Sequence, residues 1–365
     1  MKVFGRIVAI NVGLLVCGLL IIELLAGSWF DEHALGDLDI PAHRAQAMDV
    51  SGLYPGGGIV RWQRDQYGLR GHYPSPDRID ILAVGGSTTA ESLVNDGETW
   101  TDVLAQKLST SSHAIYVANA GLDGHSTFGH LNAFKAWFPR IGGLRPRFVL
   151  FYVGINDAAI ASANPIFDDF QPSTTAEQIR NRIYNDSVLY HLYRKVRGLY
   201  RAHIAGVIHQ PGKEDFMDLG DGTLVRISSK QMSNIEASLP AEGYLENYRQ
   251  RLRQLGRAAH ALGARSIFVN QLWRGIFARP EGFFVRSHHV GNVESLISQY
   301  GISRAYARAT LEGCKLVEMA ICIDLASDLM LEPGDLYDFV HATPMGSAKI
   351  GTFLSERLRP LKVVP

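Results

Sequence analysis

The sequence predicts an α/β protein built on one doubly wound parallel sheet, and three observations support this prediction. Five short apolar runs, rich in β-branched residues, alternate with segments whose apolar residues recur at helical spacing. Continuous apolar strands separated by helices are typical of a parallel sheet that is covered on both faces. With 365 residues, of which 46 % are apolar and 20 % charged, the chain can bury a large core.

The predicted elements follow one another along the chain as strand, turn and helix. The strands are Ile79–Val84, Ala114–Ala118, Arg147–Val153, Ser266–Leu272 and Ala320–Leu325. The helices between and after them are Thr99–Leu108, Phe128–Phe138, Leu245–Leu262, Ser303–Met319 and Met345–Leu358. Pro139 and Gly263 are typical helix stops, and they directly follow the second and third of these helices.

Other segments do not fit this alternation. Residues 31–65 are predicted to be a linker to a domain at 66–360, which two insertions interrupt at about 158–238 and 274–299. The first insertion contains a predicted helix from Thr175 to about Arg201, with six basic residues against two acidic ones. Such a segment could contact anionic lipid or glycan, or it could be a solvated helix that covers the sheet edge.

The amino terminus is predicted to be a membrane anchor at residues 1–30. Its apolar stretch, Ile7–Phe30, is long enough to span a bilayer of about 30 Å. Lys2 and Arg6 precede this stretch, whereas the residues that follow it are acidic: Asp31, Glu32, Asp37 and Asp39. This asymmetry predicts a single-pass protein with its amino terminus in the cytoplasm and the remainder outside. A cleaved signal peptide, with small residues at 26–28, is the alternative.

Charge and cysteine content exclude some classes of function. The 36 basic and 36 acidic residues balance, so the sequence gives no global field for nucleic acid. Cys17, Cys314 and Cys322 form no zinc motif, and the sequence implies neither a metal nor an organic cofactor. Cys314 and Cys322 are predicted to be buried thiols, unless an extracytoplasmic location and suitable geometry allow a disulfide. No protein partner can be identified from the sequence.

A serine with the setting of a nucleophile directly follows the first strand. Gly85 and Gly86 allow a sharp bend and leave space beside the hydroxyl of Ser87. A serine at the start of a strand-to-helix turn also has backbone N–H groups nearby that can bind an anion. Taken alone, however, Gly-Gly-Ser-Thr is more typical of an ordinary turn, and most serines so placed are not catalytic.

An aspartate and a histidine three residues apart follow the fifth strand. In a tight turn, the Asp338 carboxylate can hold the Nδ1–H of His341 and leave Nε2 free to accept a proton. The alternative is a helix-capping aspartate beside a surface histidine.

Two further turns emerge at the same predicted sheet edge. Asn156 follows the third strand, and its amide is a good donor for an oxyanion. Gly121 follows the second strand and could contribute a backbone N–H, while Asn119 and Asp157 could support these loops by hydrogen bonding. An ordinary turn asparagine and a simple loop glycine are the alternatives.

The joint occurrence of these residues resembles the SGNH (GDSL-like) hydrolase family, in its membrane-anchored bacterial type. The four blocks of that family match at Ser87, Gly121, Asn156 and His341. The resemblance implies a flavodoxin-like five-stranded sheet, with Ser87 as nucleophile, His341 as general base and Asp338 as its orienting group. It also implies an oxyanion hole formed by the Ser87 N–H, the Gly121 N–H and the Asn156 side chain. Gly86 stands where an aspartate is common in the family.

The expected function is therefore serine ester hydrolysis. The expected substrate is an ester-bearing small molecule, glycan or lipid. An enzyme tethered to the bacterial inner membrane, with its catalytic domain in the periplasm or cell exterior, is suited to remove acetyl or other acyl groups from the cell envelope. One alternative is O-acyl transfer to an extracytoplasmic polysaccharide. Another is a non-catalytic glycan-binding or assembly protein on the same fold. Asp65–Gly71, just before the first strand, resembles a segment that often precedes it in anchored members of the family.

Overall fold

The computed structural model describes residues 2–27, 40–159, 223–232, 239–271, 273–286 and 293–361, with 29, 35, 38, 179, 183, 187–190 and 192–193. The chain divides into two compact units, residues 1–40 with 171–213 and residues 41–170 with 214–365. The predicted helix from Thr175 to about Arg201 lies mostly outside the described residues, as do residues 160–178 and 194–222 of the first insertion.

Helix α1 (Lys2–Ala26) belongs to the first unit. Its segment Phe4–Ala26 has a mean hydropathy of 2.6 and is long enough to cross a membrane, or to act as a signal sequence. Within the same unit, the carboxylate of Glu23 accepts hydrogen bonds from the Trp29 indole (2.7 Å) and the Leu189 N–H (3.0 Å). The one acidic residue of the apolar helix, close to its carboxyl end, is therefore hydrogen-bonded.

The second unit contains a five-stranded parallel sheet, as the sequence predicts. The strands of this unit are β1 (Arg44–Asp49), β2 (Ile59–Arg64), β3 (Ile81–Gly85), β4 (Val117–Asn119), β5 (Phe148–Val153), β6 (Leu224–Arg226), β7 (Arg265–Asn270), β8 (Phe277–Arg279), β9 (Gly282–Arg286) and β10 (Ile321–Ile323). The central sheet has the order β4-β3-β5-β7-β10, with every neighbouring pair parallel. Numbered along the chain, this is the 2-1-3-4-5 order of flavodoxin-like folds, whose switch point lies between the first and third strands, here β3 and β5.

Helices cover the sheet of the second unit. They are α2 (Ser87–Ala90), α3 (Trp100–Leu108), α4 (Thr127–Asn132), α5 (Ile155–Ala159), α6 (Ser229–Met232), α7 (Glu242–Ala261), α8 (Val293–Lys315), α9 (Leu325–Asp328) and α10 (Pro344–Leu358). α3 begins with a capping box in which Thr99 and Asp102 satisfy each other's backbone N–H groups. α10 begins with Pro344 at its first turn and Thr343 as its cap, which fixes where the chain turns after His341.

The core lies between the sheet and its helices. Every residue of β3 and β5 is buried, which explains why these strands read as unbroken apolar runs. On one face, Phe151 stacks on Phe268 with ring centroids 4.9 Å apart. On the other, Trp100 meets Tyr152 edge to face at 5.6 Å. The strand ends that carry the candidate site are therefore anchored in a packed core.

The structure differs from the predicted linker at 31–65. β1 and β2 form an antiparallel ribbon there, and the second unit begins at residue 41. Val60 and Trp62 of this ribbon and Tyr54 of its loop are buried in a cluster with Tyr337. Alternation along β2 places one face inward, so this segment belongs to the body that bears the sheet.

The two insertions also contain structure that the sequence analysis did not predict. β6 from the first insertion pairs with β9 from the second, and the β8–β9 hairpin completes a three-stranded antiparallel sheet. α8 begins at Val293, ten residues before the predicted start, because Val293, Leu296, Ile297 and Tyr300 continue its apolar face and are buried.

Cys314 and Cys322 form a disulfide, with their Cα atoms 5.9 Å apart. The prediction of two buried thiols is therefore wrong, and the alternative of a pair is the correct one. The bond joins the carboxyl end of α8 to the edge strand β10.

Candidate active site

Ser87 lies at the start of α2, immediately beyond the carboxyl end of β3. Gly86 precedes it in an extended conformation, so the chain turns sharply from strand to helix at the nucleophile position. The Ser87 N–H is in the first turn of α2 and has no acceptor among the described residues. The hydroxyl and a free backbone donor are thus presented at the same sheet edge.

His341 connects Ser87 to Asp338. Its Nε2 lies 2.7 Å from Ser87 Oγ, and its Nδ1 lies 2.5 Å from Asp338 Oδ2. The second oxygen of Asp338 accepts the backbone N–H groups of Val340 and His341, both at 2.7 Å. The arrangement is that of a hydroxyl, an imidazole base and an orienting carboxylate.

The turn that carries Asp338 and His341 is held by its own backbone. The Tyr337 N–H donates to the His341 carbonyl at 3.1 Å, and Leu336 and Ala342 form an antiparallel bridge. Burial raises the pKa of Asp338, but hydrogen bonds from His341 and Val340 and the charge of His341 outweigh it and hold the pKa below its ordinary value. Asp338 is therefore kept ionised beside the imidazole.

Tyr337 is a neighbour of the imidazole that the sequence analysis missed. Its ring stacks on His341, with centroids 5.5 Å apart and an angle of 7° between the planes. This stacked contact places the electron-rich face of the Tyr337 ring against the imidazole. The position before Asp338 gives no signal of it in the sequence.

Asn156 lies near Ser87 at the start of α5, beyond the end of β5. Its side-chain amide donates to the His125 carbonyl at 2.7 Å, which leaves the second N–H of the amide available. A Cβ atom on Gly86 would collide with this amide and lie 3.1 Å from the His125 carbonyl oxygen. Glycine at 86 therefore allows the two turns to approach each other closely.

Gly121 does not present a free N–H. It donates to the side-chain oxygen of Asn119 at 2.9 Å, so the predicted oxyanion role does not fit this geometry. A Cβ atom at 121 would overlap the backbone of Thr89 and Ala90, which indicates that Gly121 lets this loop pack on α2. Asn119 also donates to the Thr89 carbonyl at 2.5 Å and thereby joins the two segments, as the sequence predicts for a supporting residue.

Gly124 has a backbone N–H that the sequence analysis did not consider. Its N–H has no acceptor among the described residues, and it precedes His125, whose carbonyl binds Asn156. Its φ of +77° lies in the left-handed region that glycine adopts readily. The Asp-Gly dipeptide at 123–124, a strong turn signal, could have drawn attention to it.

Asp157 is buried behind the site. It accepts hydrogen bonds from the Thr127 N–H (3.1 Å) and hydroxyl (2.5 Å) and forms an ion pair with Arg251 at 3.2 Å. Burial raises the pKa of Asp157, while the charge of Arg251 and the bonds from Thr127 oppose the rise. Asp157 therefore ties the turn after β5 to the start of α4, in the supporting role that the sequence predicts.

Arg70, in the segment Asp65–Gly71, binds the chain just after the turn that carries Ser87. Its guanidinium is buried and donates to the carbonyls of Ala90, Glu91 and Val94 at 2.7–2.9 Å. Its Nε pairs with Asp96 at 2.6 Å. This arginine therefore fixes the chain that leaves α2.

Glu91, four residues after Ser87, is a buried carboxyl group in a left-handed conformation. It accepts the Trp100 N–H at 2.7 Å and the Ser347 hydroxyl at 2.5 Å. Burial raises the pKa of Glu91 to about 8, against the opposing effects of Ser347, Trp100 and Arg70. It connects the end of α2 to α3 and α10.

Gln271, directly after β7, bridges the turns that carry Ser87 and Asn156. Its amide donates to the Thr88 hydroxyl at 2.5 Å and accepts the Ile155 N–H at 3.1 Å. Since the side chain is buried, these bonds hold the two turns at a fixed separation. No motif or pattern in the sequence singles out Gln271.

Comparison with known proteins finds similar folds but no sequence relative. No family model matches the chain, and no curated protein matches it. Among solved structures, TesA has 14 % identity and a TM-score of 0.40, and covers 77 % of this chain and 98 % of its own. An acetylxylan esterase from Geobacillus stearothermophilus, Axe2, has 14 % identity and a TM-score of 0.38, with 77 % and 92 % covered. A putative lipolytic protein of the G-D-S-L family from Desulfitobacterium hafniense has 15 % identity and a TM-score of 0.36, with 76 % and 98 % covered. At these values the similarity does not assign a function to this chain.

Proposed function

We propose that the protein is an SGNH-type serine ester hydrolase with Ser87, His341 and Asp338 as its catalytic triad. One observation carries the proposal: His341 contacts Ser87 Oγ through Nε2 and Asp338 through Nδ1, at 2.7 and 2.5 Å. These distances suit transfer of the hydroxyl proton to the imidazole. The position of Ser87 and Asn156 at the switch point of the sheet, where ligands bind in such folds, supports it further.

The mechanism follows from these contacts. Ser87 Oγ attacks the ester carbonyl carbon while its proton passes to His341 Nε2, and the carbonyl oxygen becomes an oxyanion. The imidazolium, stabilised by Asp338, then returns the proton to the leaving alcohol, and an acyl-enzyme forms. Water, deprotonated by His341, attacks the acyl-enzyme, releases the acid and restores Ser87.

The oxyanion hole in this proposal has three donors. They are the Ser87 N–H, the second N–H of the Asn156 amide and the Gly124 N–H, in place of the predicted Gly121. The N–H groups of Ser87 and Gly124 have no acceptor among the described residues, whereas that of Gly121 is taken by Asn119. Fixed donors of this kind typically contribute about 3 kcal/mol each to the stabilisation of the transition state.

We further propose that the catalytic unit lies outside the cytoplasm and acts on an acyl ester of an envelope glycan or lipid. The apolar helix at Phe4–Ala26 and the basic-to-acidic asymmetry around it support the location. The disulfide between Cys314 and Cys322 supports it independently, because such bonds persist in oxidising compartments. Envelope esters are the substrates within reach of an enzyme tethered there.

The test uses the full chain in detergent with aryl acetate and butyrate esters. Ser87→Ala and His341→Ala are expected to lower kcat/KM by at least about 10³-fold without a change in Tm. Exposed residues provide matched controls, since Ser111→Ala and His113→Ala should keep full activity. A serine-directed fluorophosphonate should label the unchanged protein and not Ser87→Ala. If the intact protein neither hydrolyses these esters nor reacts with the probe, the proposal fails.

A further inference from the structure

A cavity lies beyond the carboxyl ends of β7 and β10, and neither Ser87 nor Gln271 lines it. Its volume is about 700 Å³, and its wall includes Asn270 and Asp324 from the strand ends, with residues of α8 and the β8–β9 hairpin. Four arginines line it against one acidic residue: Arg274, Arg279, Arg304 and Arg308 against Asp324. The proposed ester hydrolysis uses none of these side chains.

Two of the four arginines have carboxylate partners. Arg279 pairs with Glu332, and Arg308 lies 3.6 Å from Glu312. Arg274 and Arg304 form no ion pair with any described residue. These two are therefore the arginines of the cavity without a direct carboxylate partner among the described residues.

Arg274 is the deeper of the two, with only 9 % of its surface exposed. Its Nη2 donates to the carbonyls of Ala326 (3.0 Å) and Leu329 (3.1 Å), while Nε and Nη1 have no acceptor among the described residues. Burial lowers the pKa of Arg274, and Asp324, its nearest carboxylate, already accepts hydrogen bonds from Asn270 and Ser327. A largely buried guanidinium with unused donors at a cavity wall is suited to bind an anion.

Arg304 lines the same cavity from α8. Its guanidinium lies 5.8 Å from the centroid of the Tyr300 ring, which is also part of the wall. Burial raises the pKa of Tyr300, and the charges of Arg304 and Arg274 both oppose the rise. The rings of Phe277 and Phe283 form an apolar wall beside them.

We propose that this cavity binds a ligand that bears an oxyanion, a carboxylate or a phosphate, held by Arg274 and Arg304. Guanidinium groups bind both oxyanions through paired hydrogen bonds, and the rings of Phe277 and Phe283 accommodate an apolar face of the same ligand. The backbone N–H of Arg274 also donates to the backbone carbonyl of Phe339 at 2.7 Å. Phe339 lies between Asp338 and His341. The site is thus separate from the triad but contacts the turn that carries it.

The test measures thermal unfolding of the full chain in detergent during titration with sodium glucuronate, sodium phosphate or glucose at constant ionic strength. At least one anion should raise Tm saturably, and glucose should not. If Tm rises with glucuronate alone, the site binds a carboxylate. If Tm rises with phosphate alone, it binds a phosphate, and either result supports the proposal. Ser87→Ala should bind equally well, so the result does not depend on the proposed hydrolysis.

Variants of Arg274 and Arg304 test whether these two side chains bind the anion. Arg274→Gln and Arg304→Gln should each weaken anion binding at least tenfold, whereas Arg308→Gln, which removes an exposed and paired charge, should not. Arg304 is exposed, so its variant remains informative even if Arg274→Gln fails to fold. No saturable rise with either anion, or unchanged binding in the Arg304 variant, would overturn the proposal.

Discussion

At the scale of single residues, the candidate site depends on how each polar atom is already used. His341 has both ring nitrogens engaged, and Asp338 divides its two oxygens between the imidazole and two backbone N–H groups. Gly121 and Gly124 differ in the same respect, since one N–H has an acceptor and the other has none. These differences, rather than residue type, separate a reacting group from a supporting one.

Replacement of Asp338 by asparagine should separate its two roles. The amide oxygen can still accept the N–H groups of Val340 and His341, but the NH₂ group would face Nδ1 and stabilise the tautomer that cannot act as base. We expect kcat/KM to fall by roughly 10²–10⁴-fold with Tm almost unchanged. Asp77→Asn, at an exposed site, is the control for the same chemical change. Activity close to that of the unchanged protein would exclude Asp338 as the orienting group.

Glu91 should make stability depend on pH. Its pKa of about 8 in the folded state lies above the unfolded value of about 4.3, so between these values only the folded state binds the proton. Stability therefore falls as pH rises through this range. Glu91→Gln mimics the neutral acid, and the difference in Tm between variant and unchanged protein should grow in favour of the variant from pH 5 to pH 8. A difference that is constant with pH would contradict an elevated pKa.

At the scale of elements, the site is assembled from the turns that follow parallel strands. β3 presents Ser87 and β5 presents Asn156, while β7 contributes Gln271, which binds the turns of both. Parallel pairing fixes the strand ends at one edge, but it leaves each turn free to shift by an ångström or more. The bridge through Gln271 removes that freedom.

Gln271→Leu should therefore impair catalysis more than binding. Leucine keeps the volume but removes the hydrogen bonds to Thr88 and Ile155, so we expect kcat to fall about tenfold with little change in KM. Gln271→Glu keeps an acceptor for the Ile155 N–H and should recover part of the loss. Gln250→Leu, on the exposed face of α7, is the matched control. A loss that simply follows a fall in Tm would indicate a structural role only.

At the scale of the molecule, contacts between distant segments build what the strand pattern does not. The two insertions join in one small sheet through β6 and β9, and the ribbon of β1 and β2 packs with Tyr337 beside the catalytic turn. The Cys314–Cys322 bond closes the end of α8 onto the edge of the central sheet. Together these contacts hold the elements that pack around the central sheet, whose strands carry the site.

The disulfide and the proposed location can be tested together. Protein from intact cells, denatured without reductant, should gain one maleimide adduct, at Cys17, and three after reduction. Reduction should lower the free energy of unfolding by about 2–3 kcal/mol, as expected for a loop of this length. A periplasmic reporter fused after Pro365 should be active. Three adducts without reductant, or an inactive reporter, would contradict a catalytic unit outside the cytoplasm.

The sequence by itself determined the class of the fold, the order of the five strands along the chain and the turns that bear Ser87, Asn156 and His341. These features depend on local information. Apolar runs mark buried strands, and short polar motifs follow them, so both can be read within windows of ten to fifteen residues. The predicted strands accordingly differ from the observed ones by no more than three residues at the ends that the structure describes.

Only the tertiary structure decided which groups are free to react or to bind. The acceptor of the Gly121 N–H, the bridge through Gln271, the pairing of the two insertions and the unpaired Arg274 all involve neighbours that chain order does not supply. Hydrogen-bond partners and charge compensation depend on which distant segments fold together, and burial then determines their energetic cost. For that reason the positions of Ser87, Asp338 and His341 could be predicted from the sequence, while the free N–H of Gly124 and the arginine-lined cavity could not.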